Sequence, residues 1–155
     1  MDRIDESLLA HLGSVTRPSV LELARRMSVA RGTAQARLER LRECGAVAGY
    51  QPSLDRRALG YGVLAFVSIQ VAQGREAPVL DRLRSMPEVL EAHKTTGDAD
   101  LLVRVVARSN EHLNDLLESL LATGGIQRTT TALALTSPVE RSLADAIEAG
   151  LLTEA

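Results

Sequence analysis

Four arginines fall within twelve residues, Arg31, Arg37, Arg40 and Arg42, in the stretch VARGTAQARLERLRECG at 29–45. On a helix, Ala34, Leu38 and Leu41 share one side, which turns 31, 32, 35, 36, 39, 40 and 43 outward. Arg31 and Gln35 then stand at the N-terminal end of the outward face. A glutamine amide pairs bidentately with adenine and a guanidinium with guanine. Arg40, one turn further on, suits a phosphate. Gly32 and Ala36 are small enough for such a helix to approach a groove closely. An ordinary solvated helix has the same composition, with Glu39 and Glu43 beside Arg40 and Arg42, so the preceding residues must separate the two readings. Other candidates for chemistry are sparse. Cys44 is the single cysteine, which excludes an internal disulfide and a cysteine zinc site. His11, His93 and His112 are far apart in sequence. Asp98 and Asp100 share one turn, but two carboxylates without further ligands make a poor cation site. No metal and no cofactor is expected.

The residues ahead of the arginine-rich stretch favour a reader of DNA. Ser19 and Glu22 form an S-x-x-E capping box that opens a short helix at 20–26, burying Leu23 and Ala24, with Met27 behind them. The turn "SVA" separates it from a helix over 31–43, with Gly45 just past the end. Earlier still, residues 2–13 read as a helix: Ile4, Leu8, Leu9 and Leu12 lie on one face, Asp2 and Asp5 suit its positive N-terminus, and Gly13 ends it. "TRPS" is the connector. Three short helices with a tight turn between the second and third make a helix-turn-helix, whose recognition helix meets base edges with its N-terminal residues.

From residue 46 the text changes. AVAGYQPSLDRRALGYG reads as a short strand followed by a turn-rich linker. VLAFVSIQVA from Val63 alternates like a strand, 76–86 is helical with Pro78 in its first turn and Pro87 as its stop, and VLEAHKTTG and DLLVRVVAR are strands joined at GDAD. Residues 110–122 carry Leu113, Leu116, Leu117, Leu120 and Leu121 at helical spacing, and IQRTTTALALT is a last strand. The order β-α-β-β-α-β is the ferredoxin-like split unit. One more helix is expected from Pro138 to about Ala149, with Ser137 and Glu140 as its capping box and Val139, Leu143 and Ile147 as its apolar stripe. The expected fold is α+β: a helix-turn-helix, winged-helix-like domain over 1–50, a hinge over 51–62, and a ferredoxin-like domain with an extra C-terminal helix over 63–155.

Charge supports two modules with different partners. Residues 1–57 hold ten arginines against seven acidic residues, a balance of +3, whereas 58–155 hold eight basic against thirteen acidic residues, −5. Seventeen of the eighteen basic residues are arginine, so the position of an arginine carries more weight than its presence. Tyr50, Tyr61 and Phe66 are the only aromatics, so the cores must be aliphatic. No apolar run nears the roughly 20 residues of a membrane span, and no basic start leads into an apolar signal segment. A cytoplasmic protein without a membrane partner is expected.

Four stretches, in this order and spacing, make the chain resemble the Lrp/AsnC family, the feast/famine transcription factors of bacteria and archaea. They are DRIDESLLAHL, then LARRMSVARGTAQARLERLRECGAVAGY with its G-x-x-x-G-Y ending, then LDRRALGYGVLAFVSIQV, then TTGDADLLVRVV with IQRTTTALAL. The resemblance covers about residues 2–136. It implies a recognition helix at 30–43 with Arg31, Thr33, Gln35, Arg37 and Arg40 as contacts to double-stranded DNA bearing a pseudo-palindromic operator. It implies a homodimer that assembles further. It also implies a small-molecule effector, commonly an amino acid, bound near the turn Thr96-Gly97-Asp98-Ala99-Asp100, with Thr129 and Thr131 from the last strand. A zwitterion needs acceptors for its ammonium, which Asp98 and Asp100 offer, and donors for its carboxylate, which the turn amides and threonine hydroxyls offer. The chain departs from the family pattern at Ala30, where a serine N-cap is common, at Ala99, where an aromatic is common, and beyond Pro138, where a strand is usual. Two other readings use the same fold: an enzyme similar to the sirohaem decarboxylases, and a ligand-binding or assembly module whose helix-turn-helix no longer binds DNA.

Overall fold

The computed structural model describes residues 2–14, 18–49 and 51–152. Its elements are α1 (Arg3–Ser14), α2 (Val20–Arg26), α3 (Arg31–Glu43), β1 (Val63–Val71), α4 (Glu76–Ser85), β2 (Val89–Lys94), β3 (Leu101–Ala107), α5 (Asn110–Leu121), β4 (Ile126–Leu133) and α6 (Leu143–Glu148). They fall into two units, Met1–Ser53 with Pro138–Ala155, and Leu54–Ser137. Thr16 and Arg17 of the expected connector, and Tyr50 of the G-x-x-x-G-Y pattern, lie outside the described residues.

In the first unit the expected capping box opens α2. Ser19 Oγ accepts from the Glu22 N–H at 3.2 Å, and Glu22 Oε2 accepts from the Ser19 N–H at 2.8 Å. Beyond α2 the chain reverses at Ser28, whose φ of 55° is left-handed, and the Val29 N–H donates back to the Ala24 carbonyl at 3.0 Å. The reversal delivers α3, which starts at Ala30 without a side-chain cap. The three helices close on Leu8, Leu9, Leu23, Leu38 and Leu41, joined by Leu12, Val20, Met27 and Val47.

Three sequence expectations in this unit need correction. Residues 46–49 form no strand. A strand needs a partner for its N–H and C=O groups; here Val47 packs into the leucine core instead, its N–H donating to the Leu41 carbonyl at 3.0 Å. Gly13 does not end α1 but lies within it, where a Cβ would stand 2.2 Å from the Ala144 Cβ. Its missing side chain is what lets α6 approach. The last helix begins at Leu143 rather than Pro138, capped by Ser142 and Asp145 and not by Ser137 and Glu140. The later box wins because it turns Ala144 onto Gly13 and sends Ile147 and Leu152 into the leucine core. A six-residue helix is too short to persist alone in water, so docking on α1 holds it. It therefore groups with the helix-turn-helix rather than with the ferredoxin-like unit.

The second unit is one antiparallel sheet in the order β2-β3-β1-β4 with α4 and α5 against it. β1 is central: Val67 pairs with Val103 on one side and Thr131 on the other. Ala65, Val67 and Ile69 of β1 and Leu101, Val103 and Val105 of β3 face the helices, meeting Val79, Leu83, Leu113 and Leu120. Leu121, expected in the apolar stripe of α5, is exposed at its end. Phe66 and Leu102, on the opposite face of the sheet, are also exposed. The architecture is the expected α+β combination of a helix-turn-helix and a ferredoxin-like βαββαβ unit.

An alanine at a helical glycine normally stabilises by about 1 kcal/mol. Gly13→Ala should instead destabilise by about 1–3 kcal/mol, because its Cβ overpacks Ala144, and Ala144→Gly in the same chain should recover most of the loss. Urea unfolding of the three variants checks this, and a stabilised Gly13→Ala would contradict the docking of α6.

Candidate DNA-binding face and ligand turn

The five arginine-helix candidates do not have equal freedom. Arg31 and Thr33, in the first turn of α3, are exposed, and Arg31 pairs with no carboxylate among the described residues. Gln35 is half-buried, its Nε2 donating to Glu39 Oε1 one turn on at 2.5 Å. Arg37 and Arg40 are tied to α1. Asp5 is completely buried; its Oδ1 accepts from Arg37 Nη1 at 3.0 Å and its Oδ2 from Arg40 Nη2. Arg37 also pairs with Asp2. With 24% of its side chain exposed and two carboxylates upon it, Arg37 is held against α1, whereas Arg40 keeps 58% of its side chain in solvent.

The sequence marks Asp2 and Asp5 only as charges near a helix N-terminus, yet they form a reciprocal cap. Asp2 Oδ1 accepts from the Ile4 and Asp5 N–H groups, both at 3.0 Å, and Asp5 Oδ2 accepts from the Asp2 N–H at 3.1 Å. The D-x-x-D spacing was the available signal. The Arg37 guanidinium, then the Asp5 N–H, lowers the Asp2 carboxyl from 3.8 to about 2, and the same pairing raises Arg37 further above its ordinary value.

The turn at 96–100 is clamped to the end of β1. The Thr95 N–H donates to the Asp100 carbonyl at 3.0 Å and Thr95 Oγ1 to the Ala99 carbonyl at 2.8 Å. The Asp100 N–H donates to the Ile69 carbonyl at 2.9 Å, Asp100 Oδ2 accepts from the Val71 N–H at 2.7 Å, and Gln70 Nε2 donates to the Asp98 carbonyl. Gly97 adopts a φ of 102°, which a side chain would strain. Thr96, Gly97 and Asp98 are exposed on the turn. Asp100 lines a cleft of about 170 Å³ with Val71, Ala72, Gln73, Gly74 and Glu76. Thr129 and Thr131 do not line it. Thr129 registers with Ile69, whose carbonyl is bound by Asp100, so Thr129 lies in the same row across the sheet, about 10 Å from β3 at two strand spacings. The β1–α4 loop was missed from the sequence. Antiparallel pairing of β1 with β3 necessarily sets that loop beside the start of β3.

The three histidines remain apart: His11 Nδ1 sits 2.6 Å from the Ser7 carbonyl, His93 lies beside Glu91, and His112 Nδ1 accepts from the Arg108 N–H. Among the described residues no three of His, Cys, Asp or Glu converge on one point, and no helix is long and apolar enough to cross a membrane.

Fold and site together define a DNA-binding regulator: a helix-turn-helix joined to a ligand-binding unit. The model of the Lrp/AsnC ligand binding domain matches residues 64–144. The chain is 30% identical over 135 residues to the HTH-type transcriptional regulator FL11 of Pyrococcus horikoshii, covering 87% of this chain and 89% of that protein. It is 31% identical over 145 residues to the regulatory protein AsnC of Escherichia coli K12, covering 92% and 95%. The chain belongs to the Lrp/AsnC family. The solved structure of E. coli AsnC superposes with a TM-score of 0.85 at 29% identity, over 93% of this chain and 98% of that one. The regulator NMB0573 of Neisseria meningitidis, solved as an L-Met complex, shares the fold with a TM-score of 0.85 at 23% identity, over 93% and 95%.

Asp2 titrates lower in the folded chain than its ordinary 3.8, so its contribution to stability is complete above that value and disappears as pH falls through about 2. Asp2→Asn should therefore flatten the acid limb of the stability curve between these two values. Thermal melts at stepped pH measure it, and parallel curves for the two chains would contradict the Asp2–Arg37 tie.

Proposed function

We propose that the chain is a sequence-specific, cytoplasmic transcriptional regulator that senses an amino acid or a related small acid. The carrying observation is the outer face of α3. Arg31 and Thr33 are exposed and Gln35 is held, among the described residues, by Glu39, on a helix whose opposite side is fixed by Ala34, Leu38 and Leu41. In this reading Arg31 and Gln35 touch base edges, Thr33 and Arg40 touch the phosphate backbone, and Arg37 braces the helix from behind. Two such helices are needed to read a pseudo-palindrome. A second copy packed on the uncovered sheet face, around Phe66 and Leu102, would supply the other.

The effector reading rests on the turn at 96–100. Asp100 and Asp98 supply acceptors for an ammonium, Gly97 bares the turn backbone, and Thr96 supplies a hydroxyl, whereas Thr129 and Thr131 stand across β1 from the turn and are left out of this reading. NMB0573, bound to L-Met, supports the ligand class.

Arg31→Ala and Gln35→Ala should each cost about 1–3 kcal/mol at the base pairs they read while sparing random DNA. Binding curves on a selected and a scrambled duplex test this; wild-type discrimination in both variants would remove α3 as the reader. In a thermal-shift screen of the twenty amino acids, at least one should stabilise the wild type. Asp100→Asn should weaken that ligand by about 1.5–3 kcal/mol. Because Asp100 also accepts from the Val71 N–H, the shift is read against the ligand-free variant, and an identical response in both chains would move the effector elsewhere.

A further inference from the structure

We propose that Asp5, buried on α1, is a positioning residue for DNA binding: it pre-sets Arg40 for a backbone phosphate. The inference rests on the reading of α3 as the DNA-binding helix. A carboxylate removed from water requires compensating charge and hydrogen bonds, and Asp5 is completely buried. Arg37 already meets that need at 3.0 Å, so charge balance alone does not explain a second guanidinium on the same carboxylate. The two arginines differ in what they retain. Arg37 spans Asp2 and Asp5 and is largely covered. Arg40 commits Nη2 to Asp5 and keeps most of its side chain in solvent.

A guanidinium has five donors in a rigid plane, so fixing one nitrogen orients the others. An arginine tethered in this way has already lost rotamer freedom before DNA arrives, and the phosphate contact costs correspondingly less. The carboxylate therefore acts through Arg40. This carries a sign that simple electrostatics does not. Removing a negative charge close to DNA should by itself tighten binding; removing the tether should weaken it.

The experiment is a double-mutant cycle on the full chain, using a random-sequence duplex and fluorescence anisotropy across a salt series. Circular dichroism confirms that each variant is folded at the temperature used. Arg40→Ala should reduce the salt slope by about 1. Asp5→Asn should weaken binding by about fivefold to tenfold in the wild-type background, yet change it by less than about twofold in the Arg40→Ala background. Binding as tight as wild type in Asp5→Asn overturns the inference, and so does an equal loss in both backgrounds, which would mark Asp5 as a fold residue only. If Asp5→Asn does not fold, Arg40→Lys replaces it. That variant keeps the charge but cannot hold Asp5 and a phosphate in one plane, so a loss of about threefold or more supports the tether and unchanged affinity overturns it. A wild type that binds no duplex at low salt removes the DNA-binding reading and this inference together. A wild type that binds while Asp5→Asn binds equally well removes only the inference.

Discussion

A carboxylate sealed from water joins the first helix to the third. Asp5 sits at the foot of α1 with Arg37 and Arg40 of α3 upon it, while Asp2 caps the same turn and takes the other side of Arg37. Leucine packing between short helices fixes their separation but resists sliding only weakly, since dispersion contacts are non-directional. The ion-paired cap supplies direction: it pins the axial position of α3 relative to α1, and with it the height at which Arg31 and Gln35 stand. The tight turn at Ser28 and the capping box at Ser19 set the other end of the same constraint.

Around that anchor the unit is completed by a segment distant in sequence. Ala144 rests on Gly13, and Ile147 and Leu152 join the leucine core, so the core of the DNA-binding unit is finished by residues that follow the sheet. The chain therefore leaves this unit through the linker and returns to it after β4. In the second unit the corresponding constraint is register. Once β1 pairs with β3, the end of β1 and its following loop must meet the turn before β3, and Asp100, Gln70 and Val71 are brought together there. The cleft beside that turn is a consequence of antiparallel topology plus one glycine with positive φ.

Periodicity and caps make most of this legible in the sequence. The capping box at Ser19, the bounds of α2 and α3, the alternation of β1 and the βαββαβ order are local patterns with local causes, and local causes survive folding. Three features were illegible for a common reason, which is that their energy lies between segments far apart in the chain. Gly13 reads as a helix stop unless Ala144 is known to lie on it. Ser137 and Ser142 both head a plausible box, and only docking on α1 selects the second. The pairing of Arg37 with a buried carboxylate on α1 has no local signal in the sequence. The turn at 96–100 is singled out by the family pattern, and the β1–α4 loop beside it by strand pairing alone.

The most direct test of the account is to let the full chain select from fragmented genomic DNA and to sequence what it retains. The account predicts enrichment of a pseudo-palindromic site whose half-sites are separated by about one helical turn of DNA or a multiple of it, read by the exposed face of α3. Retained fragments with no shared motif, matching the input pool in sequence, would contradict it.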